Sequence, residues 1–177
     1  MGFIQTRSGT HFDFQNFKPD DLIEEDIWWG LSHIPRFGGH TAAIYTVAQH
    51  SVLCSHIVPP GYALEALMHD AAEAYCGDVP SPLKALLPDY RKIELVVDTA
   101  IRCKWKLPPT MSELVKRADI VILATERRDV LGDDGAHWPV LEGVEPLPEK
   151  ITPACPDRAY RMFMDRYNEL MEGRVCV

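Results

Sequence analysis

Apolar and polar residues alternate over positions 3–6 and 11–14, on either side of Ser8-Gly9. This period of two predicts a short β-hairpin. Beyond it the apolar residues recur at helical spacing. Residues 16–21 are polar and contain Pro19, so they form a loop whose Asp20 or Asp21 caps a helix over 22–32. Leu22, Ile27, Trp28 and Leu31 face inward on that helix; Trp28 and Trp29 are adjacent and cannot both do so, which assigns one to an interface or a pocket. A break with Gly38 and Gly39 spans 35–41. A helix over 44–58 follows, with Ile44, Val47, Ala48, Ser51, Val52, Cys54, Ser55 and Val58 inward, and Pro59-Pro60-Gly61 ends it. The connection to the next helix is so short that the two must be antiparallel neighbours. Gly77, Pro80 and Pro82 close that second helix.

A short helical piece is expected over 83–87, then a helix over 90–104 capped by Asp89 with Ile93, Val96, Val97, Ala100 and Ile101 as its core stripe. Leu107-Pro108-Pro109 interrupts. Thr110-Met111-Ser112-Glu113 matches a capping box that opens a helix over 111–131, with Leu114, Ala118, Val121, Ile122 and Thr125 inward. Residues 132–151 read as one long surface loop of the kind that serves as a lid or an oligomer contact. Pro156 opens a last helix that ends near Glu172, with Gly173 as its stop and a frayed end over 174–177. The whole is an all-α single domain with an N-terminal hairpin.

Composition narrows the function. The chain has 177 residues, 46% of them hydrophobic and 25% charged, as in ordinary soluble globular proteins. No apolar run approaches a membrane span and no signal-peptide pattern opens the chain. The formal charge of −8 excludes the basic footprint that polymeric nucleic acid requires, while a small phosphorylated substrate needs only a few local cations. The five cysteines are scattered and lack a CxxC pair, which points to buried, reduced thiols in a cytosolic protein.

Chemistry concentrates in residues 67–84. His69 and Asp70 are adjacent, and Glu73 follows one helical turn later, so all three reach one patch of space; the intervening positions are alanines that let neighbouring helices approach. His50 and His69 lie at similar distances from the Pro59-Pro60-Gly61 break and therefore at similar heights on facing helices. Asp119 adjoins the apolar stripe of its own helix, where a carboxylate needs either a basic partner or a metal. His50, His69, Asp70 and Asp119 together suit a borderline divalent cation: zinc, manganese, iron or cobalt. Glu73 stands beside this set as a proton carrier. Arg36 and Phe37 offer a charge for phosphate and a ring for a base or sugar.

His50, then His69-Asp70, then Asp119 resembles the H…HD…D pattern of the HD-domain metal-dependent phosphohydrolases. The longer string HD-x-x-E-x-x-x-G-D-x-P-S-P-x-K over 69–84 is more specific and resembles the 5′-deoxynucleotidase branch. Val47-Ala48-Gln49-His50-Ser51 resembles that branch's VAEHS segment, with Gln49 where Glu is usual, and Arg36-Phe37 resembles its Arg-Trp pair. The short chain is also similar to the phage dATP triphosphohydrolases. The match runs over 22–131, which would be the catalytic helices; residues 1–20 and 132–177 lie outside it. The resemblance implies an HD-domain helical bundle, with His50, His69, Asp70 and Asp119 as metal ligands and additional Mg²⁺ admitted. Glu73 would be the acid/base and Asp78 a sugar contact or turn-ordering residue. Arg36, Lys84 and Lys116 would bind phosphate, and Ser81 and Phe37 would line the pocket. It further implies a homo-oligomer in the cytoplasm, the host's if the chain is phage-encoded. The substrate would be a deoxynucleoside 5′-phosphate: first a dATP or other dNTP yielding deoxynucleoside and triphosphate, alternatively a dNMP cleaved to deoxynucleoside and phosphate. A non-catalytic, metal-stabilised nucleotide-binding module is a further alternative that an intact Glu73 argues against. A cyclic-dinucleotide or ppGpp-type phosphodiesterase would need motifs that this chain lacks.

Overall fold

The computed structural model describes residues 2–132 and 134–175. The hairpin forms as the alternation predicts: β1 (Phe3–Gln5) pairs antiparallel with β2 (His11–Asp13), Ile4 opposite Phe12. Its turn is pinned to the first helix, because the Asp26 carboxylate accepts from both the Ser8 amide and the Ser8 hydroxyl at 2.7 Å. Phe12 points into the core and stacks on Tyr75.

The rest is helical: α1 (Glu24–His33), α2 (Val47–Ile57), α3 (Ala63–Met68), α4 (Glu73–Cys76), α5 (Ser81–Lys84), α6 (Pro88–Lys104), α7 (Glu113–Glu126) and α8 (Pro156–Val175). Leu22, Ile27, Trp28, Leu31, Leu67 and Phe163 fill one main core between α1, α2, α3 and α8. Trp28 is buried against Tyr167, while Trp29 is covered within the chain, stacked on His33 with the Arg7 guanidinium 3.9 Å from its ring. Among the described residues no helix is long and apolar enough to cross a membrane.

Several boundaries differ from expectation for identifiable reasons. Neither Asp20 nor Asp21 caps α1: residues Pro19–Asp21 make a separate 3₁₀ turn in which Asp21 accepts from the Lys18 amide. The second helix starts at Val47, capped by Thr46, and Ile44 is left exposed in the preceding loop. The continuous helix expected through His69 is broken. From His69 to Ala72 the chain tightens to i→i−3 bonds (Ala71 to Met68, Glu73 to Asp70, Ala74 to Ala71) and α4 begins only at Glu73. The capping box at Thr110 does not form; Ser112 is the N-cap of α7, held by the buried Glu65 carboxylate at 2.7 Å from its amide and 2.5 Å from its hydroxyl. The buried stripe of α7 is correspondingly rotated, with Val115 inside and Leu114 outside. On α6 only Val97 and Ile101 of the expected stripe are buried; Ile93 and Val96 are exposed because the body covers a narrower strip of this helix than its sequence offers. The long loop after α7 begins with a π turn, Arg127–Leu131, and is fastened at Leu147 to Thr125 and at Ile151 to Asp129. α8 runs through Gly173 to Val175, so the fraying expected over 174–177 does not begin at 174, and residues 176–177 lie outside the described residues. Cys54 is buried, but Cys103 and Cys155 are exposed, so the expectation of uniformly buried thiols is corrected for those two; Cys176 lies outside the described residues.

A tight helix approach lies next to Glu73 in the chain, at Ala74. A Cβ on Gly30 of α1 would meet the Cβ and the carbonyl oxygen of Ala74 at 3.0 Å. Backbone cannot yield there as a side chain would. Gly30→Ala should therefore cost about 1–3 kcal/mol, read as a lower denaturation midpoint at unchanged slope. An unchanged midpoint would mean that α1 and α4 slide apart freely.

A candidate metal centre at the junction of three helices

Thr46 starts α2 and turns His50 inward, where the ring is completely buried. Its Nδ1 lies 2.6 Å from Glu126 Oε1 on the last turn of α7, so the ring proton is donated to that carboxylate. Glu126 Oε2 accepts from Arg36 at 3.1 Å. His69 is held the same way at the tightened turn: its Nδ1 donates to the Ala66 carbonyl at 2.8 Å. A carbonyl only accepts, so the tautomer follows. In the neutral rings both Nε2 atoms present lone pairs, and they lie 3.3 Å apart.

Carboxylates close around them. Asp119 Oδ1 lies 3.2 Å from His50 Nε2, and Asp70 Oδ2 lies 3.2 Å from His69 Nε2 and 3.7 Å from His50 Nε2. Atoms held about 2.0–2.2 Å from one ion at tetrahedral angles stand roughly 3.4 Å apart. The donor set and its spacing fit one divalent cation, and His50, Cys54, His69 and Asp119 offer ligand atoms all within 4.8 Å of one another.

Without a cation, protons must occupy the cluster. Burial opposes charge on His69, but Asp70 outweighs it and the net shift is upward. For His50, burial and Arg36 act downward, yet Cys54, Glu126 and Asp119 carry the ring well above the ordinary imidazole range. Burial also opposes ionisation of Asp70, Asp119 and Glu126, and the facing imidazoles hold all three below the usual carboxylate range.

Glu73 is different. Burial, then the charges of Asp70 and Asp78, push its carboxyl well above the usual range, and its Oε2 is buried with no hydrogen-bond partner among the described residues. Its Oε1 lies 3.8 Å from the Lys84 ammonium, which pairs more closely with Glu94 at 2.7 Å. Asp78 is half-buried, and desolvation raises its carboxyl as well. A cleft of ≈ 540 Å³ opens here, lined by His69, Asp70 and Glu73 together with Lys84, Arg91, Lys92, Glu94 and Asp98.

Of the residues singled out from sequence, His50, His69, Asp70, Asp119, Glu73, Lys84 and Arg36 come together. Arg36 is nearly buried between Glu126 and Asp70 (3.6 Å), where it balances their charge from the core side. Phe37, in the left-handed region at φ 57°, packs on Tyr45, Val130 and Ile151 and does not line the cleft. Ser81 is exposed on the first turn of α5. Lys116 pairs with Glu113 at 2.6 Å and lines a separate groove with Val140 and Glu145.

The chain is 54% identical to YfdR of Escherichia coli, an uncharacterized protein, over 178 aligned residues that cover 99% of both chains. It belongs to the YfdR family. It is also 32% identical over 139 residues, 71% of each chain, to the uncharacterized protein RCAP_rcc00048 of Rhodobacter capsulatus. No protein-family model matches the chain.

In this member of the YfdR family, sequence reading missed Glu126, Arg91 and Lys92, and it took Cys54 only as a core residue. Helical spacing carried a signal for two of them: Cys54 is one turn beyond His50 and Glu126 two turns beyond Asp119. Gln49 has its own explanation. Its amide donates to the Thr152 carbonyl at 2.9 Å and accepts from the Ala154 amide at 2.8 Å, a pairing that a glutamate cannot make.

The raised imidazoles set a pH dependence. A group whose folded pKa exceeds the unfolded one contributes stability that is complete below the unfolded value, near 6.5, and is lost as pH rises through the folded value. The raised Glu73 acts in the same direction. Chelator-treated protein should therefore melt at lower temperature at about pH 8 than at about pH 6. Zinc affinity should rise over the same interval, because the ligand protons must leave. A melting temperature that climbs with pH in the chelated protein would contradict this charge arrangement.

Proposed function

We propose that this protein is an HD-type, metal-dependent phosphohydrolase of deoxynucleoside 5′-phosphates. The convergence of two imidazole Nε2 atoms and two carboxylates at the edge of a cleft that also holds Lys84 and Arg91 carries this assignment. His50, His69, Asp70 and Asp119 would hold the metal, with Glu126 and Arg36 positioning His50 and Asp70. The bound cation supplies a deprotonated water as nucleophile and a Lewis acid toward a phosphoryl oxygen. Lys84 and Arg91 hold phosphate oxygens against that face of the cleft. Glu73, whose carboxyl is pushed upward by burial and by Asp70 and Asp78, acts as the acid that protonates the 5′ oxygen as its bond to phosphorus breaks, which balances the charge on the departing deoxynucleoside. Asp78, beside the same turn, is placed for the sugar.

A dNTP, yielding deoxynucleoside and triphosphate, is favoured over a dNMP. Arg91 and Lys92 line the cleft with Glu94 and Asp98, and although Lys92 pairs with Asp89, Arg91 makes no ion pair among the described residues and is available to a polyphosphate with its Mg²⁺. The preference for adenine and for the deoxy sugar rests on the resemblance to the dATP triphosphohydrolases. The 5′-deoxynucleotidase alternative cleaves the same bond with a shorter phosphate chain. Glu73, with its Oε2 buried and without a hydrogen-bond partner among the described residues, is out of place in a purely structural metal module. The exposed apolar side chains of Leu83, Leu86, Leu95 and Val96, on α5, just after it and on α6, are the basis for expecting self-association.

Glu73→Gln should retain metal and fold while losing roughly 10²-fold or more in turnover; near-normal turnover would remove the proton-transfer role. The substrate assignment is tested on dATP, dAMP, ATP and dCTP, with products identified as phosphate or triphosphate. Equal kcat/KM for ATP and dATP ends the deoxy claim, and cleavage of dAMP but not dATP moves the protein to the deoxynucleotidase alternative. Light scattering at micromolar concentration should give a multiple of the 20.0 kDa chain mass; a monomer mass refutes self-association.

A further inference from the structure

We propose that Cys54 is a ligand of the metal centre, which makes it a mixed nitrogen, oxygen and sulfur site selective for thiophilic divalent cations over hard ones. This rests on the metal-centre reading above and adds to it a residue that the HD pattern does not include. Cys54 follows His50 by one turn of α2 and is completely buried. Its Sγ lies 3.5 Å from His50 Nε2. A sulfur about 2.3 Å and a nitrogen about 2.0 Å from one ion at a tetrahedral angle are separated by about 3.5 Å. The sulfur belongs to the group of four donor atoms within 4.8 Å of one another, together with His69 and Asp119.

The convergence of donor atoms favours a ligand over a packed thiol. With both Nδ1 atoms committed to Glu126 and Ala66, His69 Nε2 and Asp119 Oδ1 close on His50 Nε2 at 3.3 and 3.2 Å from the side that Cys54 Sγ also faces, a crowding of donor atoms that either added protons or one cation must neutralise. One cation satisfies all four donors at once, and a coordinated thiol loses its proton outright. Cys54 and Asp70 approach from different sides. The Cys54 sulfur comes from the sealed core, whereas the Asp70 side chain is one-fifth exposed at the cleft and leans on Arg36. The ion is thereby anchored from the interior, and its remaining positions are directed to the cleft where Glu73 and Lys84 stand. Thiolate favours zinc, iron(II) and cobalt(II), while magnesium and manganese favour oxygen donors.

Cobalt(II) titrated into the chelator-treated full chain reads this directly. One equivalent should bind and produce a near-ultraviolet thiolate-to-cobalt charge-transfer band. Cys54→Ser and Cys54→Ala should abolish the band and weaken zinc by roughly tenfold or more while changing manganese affinity little. X-ray absorption of the zinc-loaded wild type, which needs no variant to fold, should show one sulfur scatterer at about 2.3 Å. Stoichiometric cobalt binding with no sulfur band, or a band that survives both substitutions, overturns the Cys54 assignment and leaves the metal centre standing. Failure of the wild type to bind cobalt or zinc at all overturns both.

Discussion

Two buried imidazoles whose Nε2 atoms face each other at 3.3 Å are the constraint around which this protein is built. Neither ring can relieve the contact by changing tautomer, because each Nδ1 proton is already committed, one to a carboxylate and one to a backbone carbonyl. Holding such a pair together requires α2 and the end of α3 to be fixed side by side. The short Pro59-Pro60-Gly61 connection and the small residues along both helices do this. The tightened turn from His69 to Ala72 then brings Asp70 to the same point and leaves Glu73 at the start of a new helix on the cleft wall.

Behind the pair stands a second arrangement of charge. Glu126 is fully buried, and a buried carboxylate is tolerable only when paired and hydrogen-bonded. His50 and Arg36 provide that, and Arg36 reaches on to Asp70. Ligand residues are commonly oriented by such partners, which fix the ring and raise its basicity. The loop that delivers Arg36 closes on itself through Pro35 and Thr46 and reverses through Phe37 and Gly38 in left-handed conformations. Its irregular backbone is thus tied to the charge balance of the centre. Phe37 serves this loop by packing under it, and its ring has no access to the cleft.

The cleft owes its character to pieces that are far apart in the chain. One wall is the His69–Glu73 turn; the other is the start of α6 with Arg91 and Lys92. Gln49, one residue before His50, clamps the 152–154 segment at the end of the long loop, so the chain beyond α7 is fastened to the helix that carries His50.

The sequence by itself determined the elements and half of the centre. Alternation over 3–14, helical spacing from 22 onward and the proline breaks specify a hairpin and a helical bundle, because these depend on local period and on residues that cannot continue a helix. His50, His69, Asp70 and Glu73 were legible because a short connection and i, i+4 spacing place them together without any knowledge of distant contacts. Lys116 shows the limit of such spacing: one turn from Asp119, it turns to Glu113 and a different groove. The Ser112 cap supplied by Glu65, the exposed Ile93 and Val96, the pairing of Glu126 with both His50 and Arg36, and Arg91 on the cleft wall were decided only by tertiary structure. The physical reason is common to all of them. Which face of a helix is covered, and which partner a buried charge receives, is set by whatever another part of the chain brings opposite, and local period carries no record of that.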